Sequence, residues 1–92
     1  MPRHCYVYVL LSGSDRQFYV GLTRDLPQRL EAHNRGLVSS TKRRRPFQLV
    51  YWEGCLNESD AAKREKYLKT AWGKRYIKTR LRTFLTNSPR AL

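Results

Sequence analysis

Two short runs of β-branched and aromatic residues stand almost end to end near the start of the chain. They are Cys5–Leu11 (Cys-Tyr-Val-Tyr-Val-Leu-Leu) and Gln17–Leu22 (Gln-Phe-Tyr-Val-Gly-Leu), with Ser12, Gly13, Ser14 and Asp15 supplying turn chemistry between them. Such side chains fit a pleated surface, and a connection of four or five residues folds the runs back on each other as a β-hairpin. The chain has 92 residues, too few to divide its apolar side chains between two cores. Whatever follows must pack on this hairpin. Gly21, inside the second run, points to a bulge or to another group lying close over the backbone. The register stays open, but if Tyr8 and Tyr19 share a face, two phenols meet there.

Asp25 reads as a helix N-cap, with Pro27 in the first turn and Gln28 at the capping-box position. Helical spacing puts Leu26, Leu30, His33 and Leu37 on one face with Arg29 beside them, and Gly36 ends the helix. Residues 38–46 form a polar, basic loop closed by Pro46, and Phe47–Cys55 reads as a third strand. A second helix, capped by Asn57 or Ser59, is expected to run to about Trp72 and to break at Gly73. A third follows, striped by Ile77, Leu81, Phe84 and Leu85 and flanked by Lys74, Arg75, Lys78 and Arg82. The tail from Thr86 to Leu92 is expected to fray, since Pro89 bars further helix. The order β-β-α-β-α-α predicts an α+β domain spanning residues 1–92, with its core in about 4–85. Its three-stranded, mainly antiparallel sheet is flanked by helices.

Nineteen Lys and Arg face seven Asp and Glu, a formal net charge of +12. The excess is concentrated beyond residue 60, where Glu65 is the sole acid. A polyanion is the expected partner, nucleic acid ahead of an anionic membrane. The residue 74–85 helix lacks the aromatic anchor of an interfacial helix, and no apolar run has the length of a membrane span, so a cytoplasmic, membrane-independent protein is expected. Cys5 and Cys55 read as buried thiols, because no short Cys/His spacing suggests a zinc site.

Three side chains stand where their chemistry is out of place. Helical spacing sets Glu65 on an apolar stripe with Ala61, Leu68 and Trp72, a costly position without a cation. Two explanations stay open: an ion pair to an arginine such as Arg29, or a carboxylate that holds a metal or takes part in catalysis. A single carboxylate suits Mg²⁺ when phosphate and water complete the shell. His33 lies in the stripe of the first helix with Arg29 one turn before it. They are either a satisfied core histidine and a snorkelling arginine, or a pair facing phosphate. The run Thr41, Lys42, Arg43, Arg44, Arg45 reads as a solvated loop suited to non-specific phosphate contact.

These pieces together resemble the GIY-YIG nuclease superfamily, and more closely its small single-domain bacterial members. The resemblance rests on Val7-Tyr8-Val9 and Tyr19-Val20-Gly21, on Asp25-Leu26 with Arg29-Leu30 and His33-Asn34, on Ser40-Thr41-Lys42 with Arg45-Pro46, and on Asp60-Ala61 with Arg64-Glu65 and Leu68-Lys69. It implies a phosphodiesterase using one divalent ion, Mg²⁺ or Mn²⁺, and no small-molecule cofactor. In this likeness Glu65 is the metal ligand and Arg29 binds the scissile phosphate. Tyr8 and Tyr19 match the motif tyrosines, one of which helps activate water, and His33 stands near the phosphate. Val7 and Val9 replace the residues that name the first motif. The lysine that some members carry after the second motif is missing, leaving that role vacant or to Arg24. The asparagine that closes the motif set in homing-type members has no counterpart.

The first functional expectation is a metal-dependent endonuclease acting on DNA rather than RNA, structure-directed or weakly sequence-specific, in DNA repair or processing. The alternative is a nucleic-acid-binding module of little or no turnover that acts with a partner protein. In both, Arg24, Lys42, Arg43, Arg44, Arg45, Lys74, Arg75 and Lys78 contact the nucleic acid.

Overall fold

The computed structural model of the protein describes residues 4–87. Strands β1 (Cys5–Ser12), β2 (Phe18–Thr23) and β3 (Phe47–Cys55) form one antiparallel sheet in the order β2-β1-β3. The hairpin pairs Tyr8 with Gly21 and Leu10 with Tyr19. Side chains alternate across a strand, so this register puts Tyr8 and Tyr19 on one face. Both faces of the central strand are covered. Cys5, Val7 and Val9 pack with Ala61, Leu68 and Ile77 on one side, and Tyr8 and Leu10 pack with Phe47, Leu26 and Leu30 on the other.

Helix α1 (Leu26–Asn34) begins where its sequence indicates, with the Asp25 side chain accepting from Gln28 N. It stops at Gly36, whose φ of +76° is the left-handed conformation that favours glycine. The expected stripe is one residue too long, because Leu37 lies beyond this stop and is 69% exposed. A 3₁₀ turn, Lys42–Arg44, leads into β3.

Helix α2 (Glu58–Leu68) is capped by Asn57, whose side chain accepts from Asp60 N. The break expected at Gly73 comes earlier. Thr70 caps α3 (Ala71–Arg80) by accepting from Gly73 N, so Gly73 is inside the new helix. Its missing side chain serves close packing, for a Cβ there would overlap the backbone of Tyr67 and Leu68. Trp72 therefore leaves the α2 stripe and is 66% exposed. The third helix is also divided, α3 ending before Leu81 and α4 (Arg82–Asn87) following. Thr86 and Asn87 are helical rather than frayed, and the remainder of the expected tail, residues 88–92, lies outside the described residues. Both thiols are free, but only Cys5 is buried; Cys55, its cross-strand partner at the end of β3, is half-buried. Among the described residues no helix is long and apolar enough to cross a membrane.

Candidate active site

The site grows from the hairpin register. Tyr8 leaves β1 and lays its ring over Gly21 on β2, where a Cβ would overlap the phenol's Oη and Cζ. The glycine is the space the phenol occupies. Across the same face comes α1, whose 3.6-residue period turns both Arg29 and His33 toward the sheet. His33 is fully buried, with Nε2 2.8 Å from Tyr8 Oη and Nδ1 2.8 Å from Thr41 Oγ1. Arg29 donates from Nε to Tyr8 Oη at 3.3 Å. Tyr19 stands next to them, its ring centroid 5.0 Å from that of His33 and 6.4 Å from that of Tyr8.

The electrostatics follow from burial beside a cation. Desolvation raises the Tyr8 pKa and outweighs the opposing hydrogen bond and charge of Arg29; the charge of Glu65 adds to the rise. Burial also lowers the pKa of His33, and the charge of Arg29 lowers it further. The Arg29 guanidinium is held firmly charged, first by its hydrogen bond to Tyr8. At neutral pH the cluster thus consists of a protonated phenol, a neutral imidazole and a guanidinium.

Glu65, on α2, lies at the rim with a side chain 23% exposed, and its partner is Lys69 one turn on, at 3.3 Å. The arginine expected to compensate it is engaged elsewhere: the hydrogen bond described for Arg29 goes to Tyr8. Among the described residues no group of three or more His, Cys, Asp or Glu is arranged to hold a metal. The donor set fits one kind of ion only, a hard cation taking a single carboxylate and filling its shell with water and phosphate.

The other basic residues divide by what they already hold. Arg24 is tied to Glu58 at 2.7 Å. Arg44 pairs with Asp15 at 2.6 Å, reaches the carbonyls of Gln17 and Phe18, and covers the Phe47 ring. It fastens the loop to the hairpin. Lys42, Arg43 and Arg45 line an open depression beside Asn34. Lys74, Arg75, Lys78 and Arg82 line a groove of about 450 Å³ along α3, with Arg75 stacked on Trp72.

Two further residues bind this part of the fold together. Thr41, expected in a solvated loop, is instead wholly buried under α1 because its hydroxyl meets the His33 ring. Asn34 binds β3 by donating to Phe47 O at 3.0 Å and accepting from Phe47 N at 2.7 Å. Both belong to stretches that carry the family likeness, the only signal by which they stood out.

A sheet whose paired tyrosines meet an arginine and a histidine from one helix, with a carboxylate from another at the rim, is a site suited to phosphate chemistry. The GIY-YIG catalytic domain family matches residues 4–82. The chain belongs to this family, which is a nuclease family. It is 42% identical over 65 residues to a UPF0213 protein of Clostridium perfringens, covering 70% of this chain and 69% of that protein. It is 44% identical over 66 residues to a UPF0213 protein of Staphylococcus aureus, covering 71% of this chain and 79% of that one. No solved structure matches.

Proposed function

We propose that this chain is a divalent-metal-dependent endonuclease that hydrolyses DNA phosphodiester bonds, with weak sequence preference or direction by DNA structure, in bacterial cytoplasmic DNA repair or processing. The observation that carries the reading is the contact of the buried Tyr8 with both His33 and the half-buried Arg29, next to Tyr19. A structural core has no need of a guanidinium against two phenols. A phosphate does: arginine offers five N–H donors, and its bonds to Tyr8 at 3.3 Å and to the neighbouring Tyr19 leave others for phosphate oxygens.

Arg29 holds the scissile phosphate and stabilises the charge that builds on its oxygens. Tyr8 Oη takes a proton from the attacking water as it gives its own to His33 Nε2, 2.8 Å away. This transfer suits a phenol whose burial opposes a standing phenolate. Tyr19 flanks the phosphate and limits water. Glu65 would hold the cation, which when bound supplies Lewis-acid polarisation of the phosphate. Lys42, Arg43, Arg45, Lys74, Arg75 and Lys78 contact the strand on either side without reading bases.

The deciding experiment incubates labelled duplex, single-stranded, flapped and branched DNA with Mg²⁺, Mn²⁺ or EDTA, comparing wild type with Glu65→Gln and Arg29→Ala. Metal-dependent products, lost in both variants while Glu65→Gln still binds, are expected. The second reading, a binding module working through a protein partner, draws support from the Glu65–Lys69 pair, which gives the carboxylate a structural use. Tight binding with no wild-type product on any substrate would favour it.

A further inference from the structure

Thr41 opens a run of four basic residues, yet it is fully buried, and its hydroxyl lies 2.8 Å from His33 Nδ1 and 3.4 Å from Val38 O. Burial and the neighbouring Arg29 charge disfavour the imidazolium, so the ring between Thr41 and Tyr8 is taken as neutral, with one proton on one nitrogen. Counting donors and acceptors settles which. Tyr8 is 2% exposed, so its hydroxyl proton needs a protein acceptor. Arg29 Nε carries a proton and offers no lone pair. Among the described residues the remaining partner of Tyr8 Oη is His33 Nε2. That nitrogen must be bare, and the imidazole proton is on Nδ1. Nδ1–H then donates to Thr41 Oγ1, which donates in turn to Val38 O. The donation runs one way, Tyr8 to His33 to Thr41 to the backbone. The opposite order, with Thr41 donating to Nδ1, would leave two donors aimed at Tyr8 Oη and the phenol proton with no acceptor.

We propose that Thr41 is a positioning residue for the site: its hydroxyl holds His33 in the Nδ1–H tautomer and so presents Nε2 to Tyr8 as the proton acceptor. A histidine free in water favours the other tautomer, so the protein must impose this one. Thr41 is suited to the task because its own backbone N–H is bound to Val38 O at 3.0 Å, which fixes the hydroxyl's place under the ring. For the imidazole, the proposal stands on these hydrogen bonds. Its catalytic consequence rests on the nuclease reading.

The test separates the two. Nitrogen-15 NMR of the His33 ring at neutral pH reads the tautomer with no substrate present. In wild type Nδ1 is expected to carry the proton, with a cross-peak from that proton to the Thr41 methyl group. Thr41→Val keeps the shape and removes the hydroxyl, and should shift the ring toward the Nε2–H form. Thr41→Ser should restore it. An Nε2–H ring in wild type overturns the proposal even if the valine variant fails to fold, and so does a valine variant with an unchanged tautomer. On whichever DNA the wild type cleaves, Thr41→Val should lower kcat by about tenfold or more at an unchanged KM, with Thr41→Ser recovering most of the loss. A shifted tautomer with undiminished kcat would overturn the positioning role. A wild type with the Nδ1–H ring and no cleavage of any DNA would support the tautomer assignment and overturn the nuclease reading.

Discussion

The phenol of Tyr8 occupies the volume that a side chain at position 21 would fill: a Cβ on Gly21 would stand 2.8 Å from Tyr8 Cε1 and overlap Oη and Cζ. Gly21 is thus part of the site by absence. Gly21→Ala is expected to push the ring off His33 and Arg29. Overpacking of this kind costs about 1–3 kcal/mol, less than a small domain's stability of ~5–15 kcal/mol. The variant should therefore fold with a lower thermal midpoint and lose most cleavage, which calorimetry and a DNA cleavage assay would show. Full activity would mean that the Tyr8 contacts do not matter to turnover.

In the proposed function a cation would compete with Lys69 for the Glu65 carboxylate. The ammonium lies 3.3 Å from Glu65 Oε2 on an exposed side chain, the setting in which an ion pair contributes only ~0.2–1 kcal/mol. Lys69→Ala should accordingly raise Mn²⁺ affinity by a factor of about 1.5–5, and Glu65→Gln should abolish it. Titration followed by Mn²⁺ paramagnetic resonance measures both without any substrate. Affinity unmoved by either change would remove Glu65 from the metal-ligand role.

The order of elements was legible because each start carried its own chemistry. Asp25 and Asn57 cap as their sequence contexts indicate, and Pro46 precedes a strand as its fixed backbone requires. The helix breaks are not legible because Gly73 looks like a stop in one dimension, whereas it is a contact in three: α3 crosses the end of α2 so closely that only glycine fits. Of the site, Tyr8, Tyr19, Arg29 and His33 could be listed but not joined, since the hairpin register decides whether the phenols meet. Glu65 stands out by its position on an apolar stripe, but the stripe leaves open whether an arginine or a bound cation compensates it. The Arg29 side chain is taken up by Tyr8, while Lys69 is one turn away from Glu65. Thr41 was hidden in a basic run whose charge suggests exposure. Burial of one residue in such a run leaves no periodic trace.

Acid should destabilise the protein in two separate windows. Burial, reinforced by Arg29, holds the folded His33 pKa below its ordinary value. Between the unfolded pKa of ~6.5 and the lower folded one, the unfolded chain binds more protons, so stability falls as pH falls through that window. The slope is at most about 1.4 kcal/mol per pH unit. Asp15 acts in a lower window: its hydrogen bond from Arg44 holds the carboxyl at about 2, so its contribution is lost as pH falls from the ordinary carboxyl value of 3.8 to about 2. Urea denaturation from about pH 7.5 to 4.5 should show a decline in wild type that His33→Asn flattens. An equal decline in both would mean that the folded histidine takes up its proton as readily as the unfolded one.

The basic loop should divide under mutation although its residues look alike in sequence. Arg44 is held by Asp15 at 2.6 Å and by two β2-side carbonyls at 3.2 and 3.4 Å, and its own carbonyl accepts from Ser12 Oγ at 2.6 Å. Removing its side chain leaves those acceptors partly unpaired, so Arg44→Ala should destabilise the fold by about 1–2 kcal/mol. Lys42 and Arg43 face the open depression, and Lys74, Arg75 and Lys78 face the groove along α3. Their alanine variants should leave the thermal midpoint in place and weaken DNA binding alike for all sequences. Each lost phosphate contact should flatten the slope of log K against log salt by about 0.9 on duplex or ~0.7 on single strands. Fluorescence anisotropy across a salt series reads that slope, and one that stays constant while affinity for particular sequences changes would mean these cations read bases rather than the backbone.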